Sequence, residues 1–208
     1  MPHPPTIILA STSPYRRGLL DRLSISYEIA DPAVDEDLWR NLAPEPMVRA
    51  LAREKAMAVD HPNALVIGSD QCVDLDGEVL GKPGSSARAV EQLRRLSGRT
   101  HRLLTAVAVH DTRAAETRVE LDVHTLTMRE LDREILEAYV LADQPIHCAG
   151  AYMLERRGVA LFESIQADPH LADDTAIIGL PMMRTLRLLR SFGVEVLRWP
   201  IAPERETR

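Results

Sequence analysis

Cysteine is scarce in this chain, which has only Cys72 and Cys148 among its 208 residues. Two cysteines do not make the disulfide framework of a small secreted domain, and no C-x-x-C spacing suggests a zinc site or a redox pair. The histidines show no H-E-x-x-H spacing, and the glycines form neither a G-x-G-x-x-G fingerprint nor a P-loop. These absences leave a zinc hydrolase and the common nucleotide-binding motifs unsupported, and they suit a reducing, cytoplasmic compartment.

Long apolar runs and an excess of basic residues are also missing. No stretch approaches the ~20 apolar residues of a membrane span, and the opening MPHPPTIILA lacks the basic head and apolar run of a signal peptide. The formal net charge is −6, whereas nucleic-acid binders usually carry a basic face. We therefore expect a cytoplasmic protein that binds neither a membrane nor nucleic acid, and any anion site must be local.

The order of strand-like and helix-like segments predicts an α/β fold. With 45% hydrophobic residues, the chain can bury a core as one domain or as two small lobes. A long hairpin interrupts the alternation of strands and helices, which favours a mixed central sheet with flanking helices over a purely parallel one. Strands are predicted at residues 6–11, 27–30, 65–69, 101–109, 118–126, 159–165 and 194–197, with a hairpin turning at Asp76-Gly77; helices are predicted at residues 14–23, from Pro44, after Ser85 or Ser86, from an Asp132 N-cap to before Pro145, and at residues 181–192.

The segment LASTSPYRR, residues 9–17, is the first candidate for chemistry. A strand leads directly into a helix that Ser13 caps and Pro14 opens. The unpaired N–H groups at such a junction favour an anion, and Ser11 and Arg16 lie beside them. The same residues also suit a plain N-cap with solvated arginines, and this segment alone does not separate the two interpretations.

Two further candidates flank the predicted hairpin. Asp70 follows the apolar run 65–69, so we expect its carboxylate where that strand stops, facing the crevice in which mixed α/β sheets bind ligands. An ordinary turn residue is the alternative. Lys82 lies in a stiff Gly-Lys-Pro loop and could reach a phosphate, although an isolated lysine is more often a surface charge.

Lys55 and the acidic segment DPAVDED, residues 31–37, add charges of both signs. Lys55 lies beside the apolar stripe of the helix from Pro44, where it either points along the surface to solvent or is aimed at a cleft. The carboxylates of the acidic segment, Glu36 among them, could hold a hard divalent cation or form a solvated loop. We reject His147-Cys148 as a base and nucleophile because neighbours in an extended segment point to opposite faces.

Seven short motifs occur in a fixed order over nearly the whole chain: LASTSPYRR, AREKA, GSDQ, GKP, LSGRTH, HCAGAY and IGLP. Each is weak alone, but the ordered set resembles the Maf family of nucleotide pyrophosphatases. The resemblance implies one domain over residues 1–208 of the Maf and inosine-triphosphatase type, with two lobes around a cleft. Because chain ends are often poorly ordered, we expect a frayed tail after about residue 200. It also implies a possible homodimer and metal-dependent hydrolysis of a nucleoside triphosphate to the monophosphate and pyrophosphate.

The resemblance also implies roles for individual residues. Asp70 would accept the proton of the attacking water and, with Glu36, would hold the divalent metal, Mg²⁺ or Mn²⁺. The residues implied to line the triphosphate site are Ser11, Arg16, Lys55 and Lys82. Cations that neutralise phosphate oxygens and a carboxylate that activates water agree with the residue-level interpretation.

Three positions resemble one branch of the family more than another. The branch that acts on dTTP and UTP typically carries arginine, threonine and glutamine where this chain has Tyr15, Gln71 and Glu155. The residues present resemble the 7-methyl-GTP branch, with tyrosine where tryptophan is common. N7-methylation makes guanine cationic, and a cationic base favours an aromatic face and a carboxylate. The alternatives are a dTTP/UTP pyrophosphatase and a nucleotide-binding regulator of cell division without turnover.

Overall fold

The computed structural model describes residues 4–200, and its centre is one mixed sheet of seven strands. The strand order is β2-β1-β3-β5-β6-β7, with β4 paired to β3. β2, β1 and β3 run parallel, while the other neighbours are antiparallel, so the prediction of a mixed sheet is confirmed. The strands are β1 (Thr6–Ala10), β2 (Glu28–Ala30), β3 (Ala64–Leu75), β4 (Glu78–Leu80), β5 (Thr100–Asp111), β6 (Glu116–Met128) and β7 (Phe162–Gln166).

Six α-helices flank this sheet within the described residues, and local capping chemistry starts several of them. The hydroxyl of Ser13 accepts the Arg16 N–H, and the carboxylate of Asp132 accepts the Ile135 N–H at 2.9 Å, as N-caps do. None of the described helices has the length and apolar character needed to cross a membrane. The helices are α1 (Pro14–Asp21), α2 (Pro44–Met57), α3 (Ser86–Leu96), α4 (Arg133–Asp143), α5 (Thr175–Ile178) and α6 (Met182–Ser191).

Two predicted strands differ from the structure. The strand predicted at residues 65–69 continues through Leu75, because β5 pairs with it from Leu65 to Asp74. Asp70 therefore lies inside a strand, and its expected place at a strand end was wrong. The strand predicted at residues 194–197 was also wrong, because the Glu195 side chain accepts the Leu197 N–H and closes a 3₁₀ turn instead.

The other differences from the predicted elements are smaller. The strand predicted at residues 159–165 begins only at Phe162, after the 3₁₀ turn Arg157–Leu161. The polar loop predicted before α6 contains the short helix α5. The frayed tail expected after about residue 200 lies outside the described residues. The single domain over residues 1–208, the homodimer and the location in the cell stay predictions.

Helices cover both faces of the sheet, and the hydrophobic core changes along it. At one end, α2 packs on one face of β3 and β5, while α1 and α6 cover the other face. At the other end, α3 and α4 pack over the far halves of the same two strands and over β6. The strands β3 and β5 are therefore shared by both packed regions, and the boundary between the regions falls near the middle of β3.

Helix α2 comes unusually close to β3 at Gly68. A Cβ placed on Gly68 would overlap the carbonyl oxygen of Ala52 and lie 2.5 Å from the backbone nitrogen of Ala56. Only glycine allows a helix backbone to approach a strand backbone this closely. Lys55 belongs to the same turn of α2, and Asp70 is two residues further along the same face of β3, so this contact brings the two side chains together.

We expect Gly68→Ala to destabilise the protein by about 1–3 kcal/mol or more, because the added methyl group meets backbone that cannot rotate away. The free energy of unfolding in urea measures the effect. Gly18→Ala is the matched control: Gly18 lies in α1 with nothing within 4 Å of an added Cβ. That substitution should stabilise the helix by about 0.5–1 kcal/mol. Equal effects of the two alanines would contradict the packing described for Gly68.

Candidate active site

The sheet has a gap beside β3, and the candidate site lies at this gap. The pairing of β1 with β3 ends at Ala10 opposite Gly68, and the pairing of β4 with β3 begins only at Leu80 opposite Val73. Between these points, β3 is paired on its β5 side. Because β1 is parallel and β4 antiparallel to β3, the carboxyl ends of both strands point into the gap. The chain segments that follow them carry Ser11 and Lys82.

An ion triplet of Glu36, Lys55 and Asp70 lies at the edge of the gap. Lys55 Nζ is 2.7 Å from Asp70 Oδ1 and 2.6 Å from Glu36 Oε1. The Lys55 and Asp70 side chains are only 10% and 11% exposed, whereas Glu36 is half exposed. Lys55 thus does not point to solvent along the helix surface, which decides between the two interpretations of its place on α2.

The surroundings shift the pKa values of Asp70 and Glu36 in opposite directions. Burial raises the pKa of Asp70 above its usual value, although the charges of Lys55 and Arg16 oppose the rise. Burial also favours a higher pKa for Glu36, but the hydrogen bond and charge of Lys55, helped by Lys82, outweigh it and leave that pKa below its usual value. A carboxylate with a raised pKa is better matched to accept a proton near neutral pH.

The start of α1 supplies polar groups on one side of the gap. Ser11 is buried, and its hydroxyl accepts hydrogen bonds from the Ser13 N–H at 3.2 Å and from Arg16 Nη1 at 3.5 Å. Arg16 Nε donates to the carbonyl of Gly179 at 2.8 Å, and desolvation lowers the pKa of this guanidinium. With Lys55 and the exposed Lys82, three cationic side chains line this part of the cleft.

The turn that ends α5 forms a second wall of the cleft, next to Arg16. Its orphan carbonyl groups are satisfied by side chains, as helix ends require. Gln71 Nε2 donates to the carbonyls of Ala176 and Ile177 at 2.9 and 3.1 Å. Gly179 closes the turn at φ 125°, a conformation that L side chains rarely adopt. The wall is therefore held to the sheet by specific hydrogen bonds.

The cleft has two arms that share the cationic side chains of Arg16, Lys55 and Lys82 but differ in size and in their other residues. The larger arm, about 770 Å³, extends from Asp70 to Tyr15, Gln71 and the exposed Glu155. The smaller arm, about 190 Å³, lies between the start of α1, the loop at residues 31–34 and the cationic side chains. A polar, cationic arm suits phosphates, and the wider arm has room for a nucleoside.

Comparison with known proteins agrees with this arrangement. The sequence profile of the family described as Maf-like protein matches residues 6–192. The chain belongs to the Maf-like family. It is 43% identical over 194 residues to the 7-methyl-GTP pyrophosphatase of Pseudomonas syringae pv. syringae, covering 92% of this chain and 99% of the relative. It is 45% identical over 197 residues to the 7-methyl-GTP pyrophosphatase of Bordetella pertussis, covering 93% and 96%. A relative of the same name from Albidiferax ferrireducens is 42% identical over 193 residues, covering 92% and 95%.

The Maf-like fold brings all of the predicted site residues to one cleft, although their roles remain predictions. The cleft also contains residues that the sequence analysis did not assign, above all Gly179, which the IGLP motif contains. The expectation that His147 and Cys148 lie in an extended segment was wrong: the chain turns there, with the Cys148 N–H donating to the Pro145 carbonyl, and both residues line the cleft. Burial raises the pKa of the Cys148 thiol, which argues against a nucleophile. The predicted residues that line the cleft are Ser11, Tyr15, Arg16, Glu36, Lys55, Asp70, Gln71, Lys82 and Glu155.

The donor set at the ion triplet can be compared with what a metal requires. Among residues 4–200, no cluster of three or more His, Cys, Asp or Glu side chains could hold a metal by itself. Glu36 and Asp70 nevertheless converge on one positive charge, the Lys55 ammonium. Mg²⁺ is usually bound by one or two carboxylates together with substrate phosphates, so this pair of hard oxygen donors fits such a cation.

Lys55→Met should destabilise this Maf-like protein by about 3–5 kcal/mol, because it leaves the buried Asp70 carboxylate without its cation. Lys82→Met removes an exposed ammonium from the same cleft and should change stability by less than about 0.5 kcal/mol. Urea unfolding of both variants makes the comparison. Adding Asp70→Asn to Lys55→Met should recover part of the loss, since the uncompensated charge is then gone. A double variant no more stable than Lys55→Met would contradict the ion pair as the cause.

Proposed function

We propose that this chain hydrolyses 7-methyl-GTP to 7-methyl-GMP and pyrophosphate, using Asp70 as the proton acceptor. The observation that carries the proposal is the position of Asp70 at the sheet gap, where it lines the wider arm of the cleft and is paired with Lys55, which lines both arms. The relatives named 7-methyl-GTP pyrophosphatase over more than 90% of the chain support the same activity. Neither line of support assigns the individual steps, which follow from the chemistry of the residues.

The reaction requires that water attack the α-phosphorus. As the water oxygen forms its bond to phosphorus, a proton passes to an Asp70 oxygen, and the bond from the α-phosphorus to the bridging oxygen breaks. Pyrophosphate leaves with the electron pair of that bond. Arg16, Lys55 and Lys82 can neutralise the charge that collects on the phosphate oxygens, which is the larger part of catalysis in phosphoryl transfer.

Glu36 and Asp70 would hold a divalent cation, Mg²⁺ or Mn²⁺, together with the phosphate oxygens. Such a cation supplies charge neutralisation and orientation at the reacting phosphate. The half-exposed Glu36 side chain is accessible from solvent, whereas Asp70 is reached only through the cleft. Lys55 already joins both carboxylates, so its ammonium holds them near each other before substrate arrives.

The wider arm has the chemistry for a cationic purine. Gln71 uses its amide nitrogen on the α5 turn, which leaves the amide oxygen as an acceptor. Glu155 is exposed on the cleft and adds a carboxylate, another acceptor. Guanine offers N1–H and a 2-amino group as donors, and N7-methylation adds positive charge that favours the Tyr15 ring and the carboxylate.

Asp70→Asn removes the proton acceptor and keeps the side-chain shape, so turnover of 7-methyl-GTP should fall by about 10²–10⁴-fold. The pKa of Asp70 is raised, so this carboxylate takes up a proton at a higher pH than an ordinary aspartate. As the pH falls, the wild-type rate should therefore begin to decline at a pH above the usual carboxyl range. This acid limb should vanish in the variant. Pyrophosphate release between pH 4 and 9, with circular dichroism to verify folding, tests both points. A variant within a few-fold of wild type would exclude Asp70 as the base.

Base preference tests the substrate assignment separately. Glu155→Gln exchanges one acceptor for a donor, so the ratio of kcat/KM for 7-methyl-GTP to that for UTP should fall about tenfold; the effect is limited because Glu155 is exposed. Adding Tyr15→Arg and Gln71→Thr should lower the ratio further, since the arginine repels a cationic base. Glu163→Gln, on β7 outside the cleft, is the control. An unchanged ratio in the triple variant would overturn the 7-methyl-GTP assignment while leaving the pyrophosphatase assignment intact.

A further inference from the structure

A buried hydroxyl on β5 contacts the side chain of Gln71, which lines the wider arm of the cleft. Thr105 is 1% exposed and lies directly opposite Gln71 in the pairing of β5 with β3. Its Oγ1 donates to the carbonyl of Ala176 at 2.9 Å and accepts from Gln71 Nε2, also at 2.9 Å. Nothing in the family resemblance or in the names of the relatives gives Thr105 a role.

These bonds determine which end of the Gln71 amide faces the wall. The carbonyls of Ala176 and Ile177 can only accept, so the NH₂ group must point to them. The Thr105 hydroxyl donates its single proton to the Ala176 carbonyl, so it can only accept from Gln71. Turning the amide over would place its oxygen against three acceptors, and the hydrogen bonds permit only one orientation.

The amide oxygen of Gln71 is then left for the cleft. A Cβ placed on Gly179 would lie 3.9 Å from Gln71 Oε1 and 3.7 Å from Arg16 Nε. Gly179 thus lies between the Arg16 guanidinium and the Gln71 amide oxygen, and because it has no side chain, the space between these two groups stays open. A ligand that extends from the cationic arm to the wider arm passes this acceptor.

We propose that Thr105 is a positioning residue for base selection: its hydroxyl holds Gln71 so that an acceptor, not a donor, faces the nucleobase. The proposal rests on the proposed pyrophosphatase function and deepens it. A fixed acceptor favours guanine, which presents N–H donors at positions 1 and 2, over adenine, which presents an acceptor and a C–H there. Without the hydroxyl, only the two carbonyls hold the Gln71 amide, so its oxygen is less firmly fixed toward the base and the preference relaxes.

Ser69 provides a matched comparison. Ser69 is fully buried on the same face of β3 as Gln71. Its hydroxyl lies 2.8 Å from the carbonyl of Ala106 and 3.0 Å from that of Gly179. The Gly179 carbonyl also accepts from Arg16. Both hydroxyls therefore bind the α5 turn, but Ser69 supports the phosphate side, and only Thr105 contacts the Gln71 amide.

The experiment compares kcat/KM for 7-methyl-GTP, GTP and ATP in three variants. Thr105→Val keeps the shape and removes the hydroxyl, so the guanine-to-adenine ratio should fall about fivefold or more. Thr105→Ser restores the hydroxyl and should keep the ratio within about twofold of wild type. Ser69→Ala should lower kcat/KM for all three nucleotides by a similar factor and leave the ratio unchanged.

Several outcomes would overturn the proposal. An unchanged ratio in Thr105→Val would show that the hydroxyl does not select the base, and an equal change in Ser69→Ala would assign the effect to general loosening of the turn. If Thr105→Val does not fold, Thr105→Ala removes the same hydroxyl without adding a methyl group beside the turn, and the same ratio decides. Absence of turnover with every nucleotide in the wild type would instead contradict the proposed function.

Discussion

The close contact between α2 and β3 at Gly68 is the constraint on which the cleft depends. Because the strand has no side chain there, the helix backbone rests directly on it. Lys55 is consequently placed beside Asp70, and its ammonium draws Glu36 in from the loop that precedes α2. Any side chain at position 68 would lift the helix and separate the groups that are proposed to share the phosphate chemistry.

Local chemistry carried much of the sequence prediction. Ser13, Ser85 and Asp132 are short polar side chains that accept a backbone N–H three residues on, and each caps the helix that was predicted to follow it. Asp76-Gly77 turns the hairpin between β3 and β4, with both residues at positive φ. Such features depend on a few neighbouring residues. Local position also made Ser11, Arg16, Glu36, Lys55, Asp70 and Lys82 candidates for the site, whereas Tyr15, Gln71 and Glu155 came only from the resemblance to the family. The fold places all of them in one cleft.

Features set by distant parts of the chain could not be predicted in this way. The polar residues of β3 suggested that the strand stops near Asp70, yet it continues because β5 supplies a pairing partner along its length. The gap beside it exists because two other strands stop short of each other. The contacts of Gln71 and Thr105 with the α5 turn join positions 71 to 106 residues apart. No local spacing encodes them.

The unbroken ladder between β3 and β5 runs from Leu65 opposite Asp111 to Asp74 opposite Arg102, beneath both packed regions and the cleft between them. A hinge across this floor would have to break consecutive interstrand hydrogen bonds. The Asp70 carboxylate and the wall that holds Gln71 are thus preorganised on a rigid element, and their ordering entropy is lost during folding, before any ligand binds. Adaptation to a ligand is left to the rim, where Glu36 and Lys82 lie on short connecting segments. A ligand that contacts this floor must therefore fit groups whose positions are already fixed.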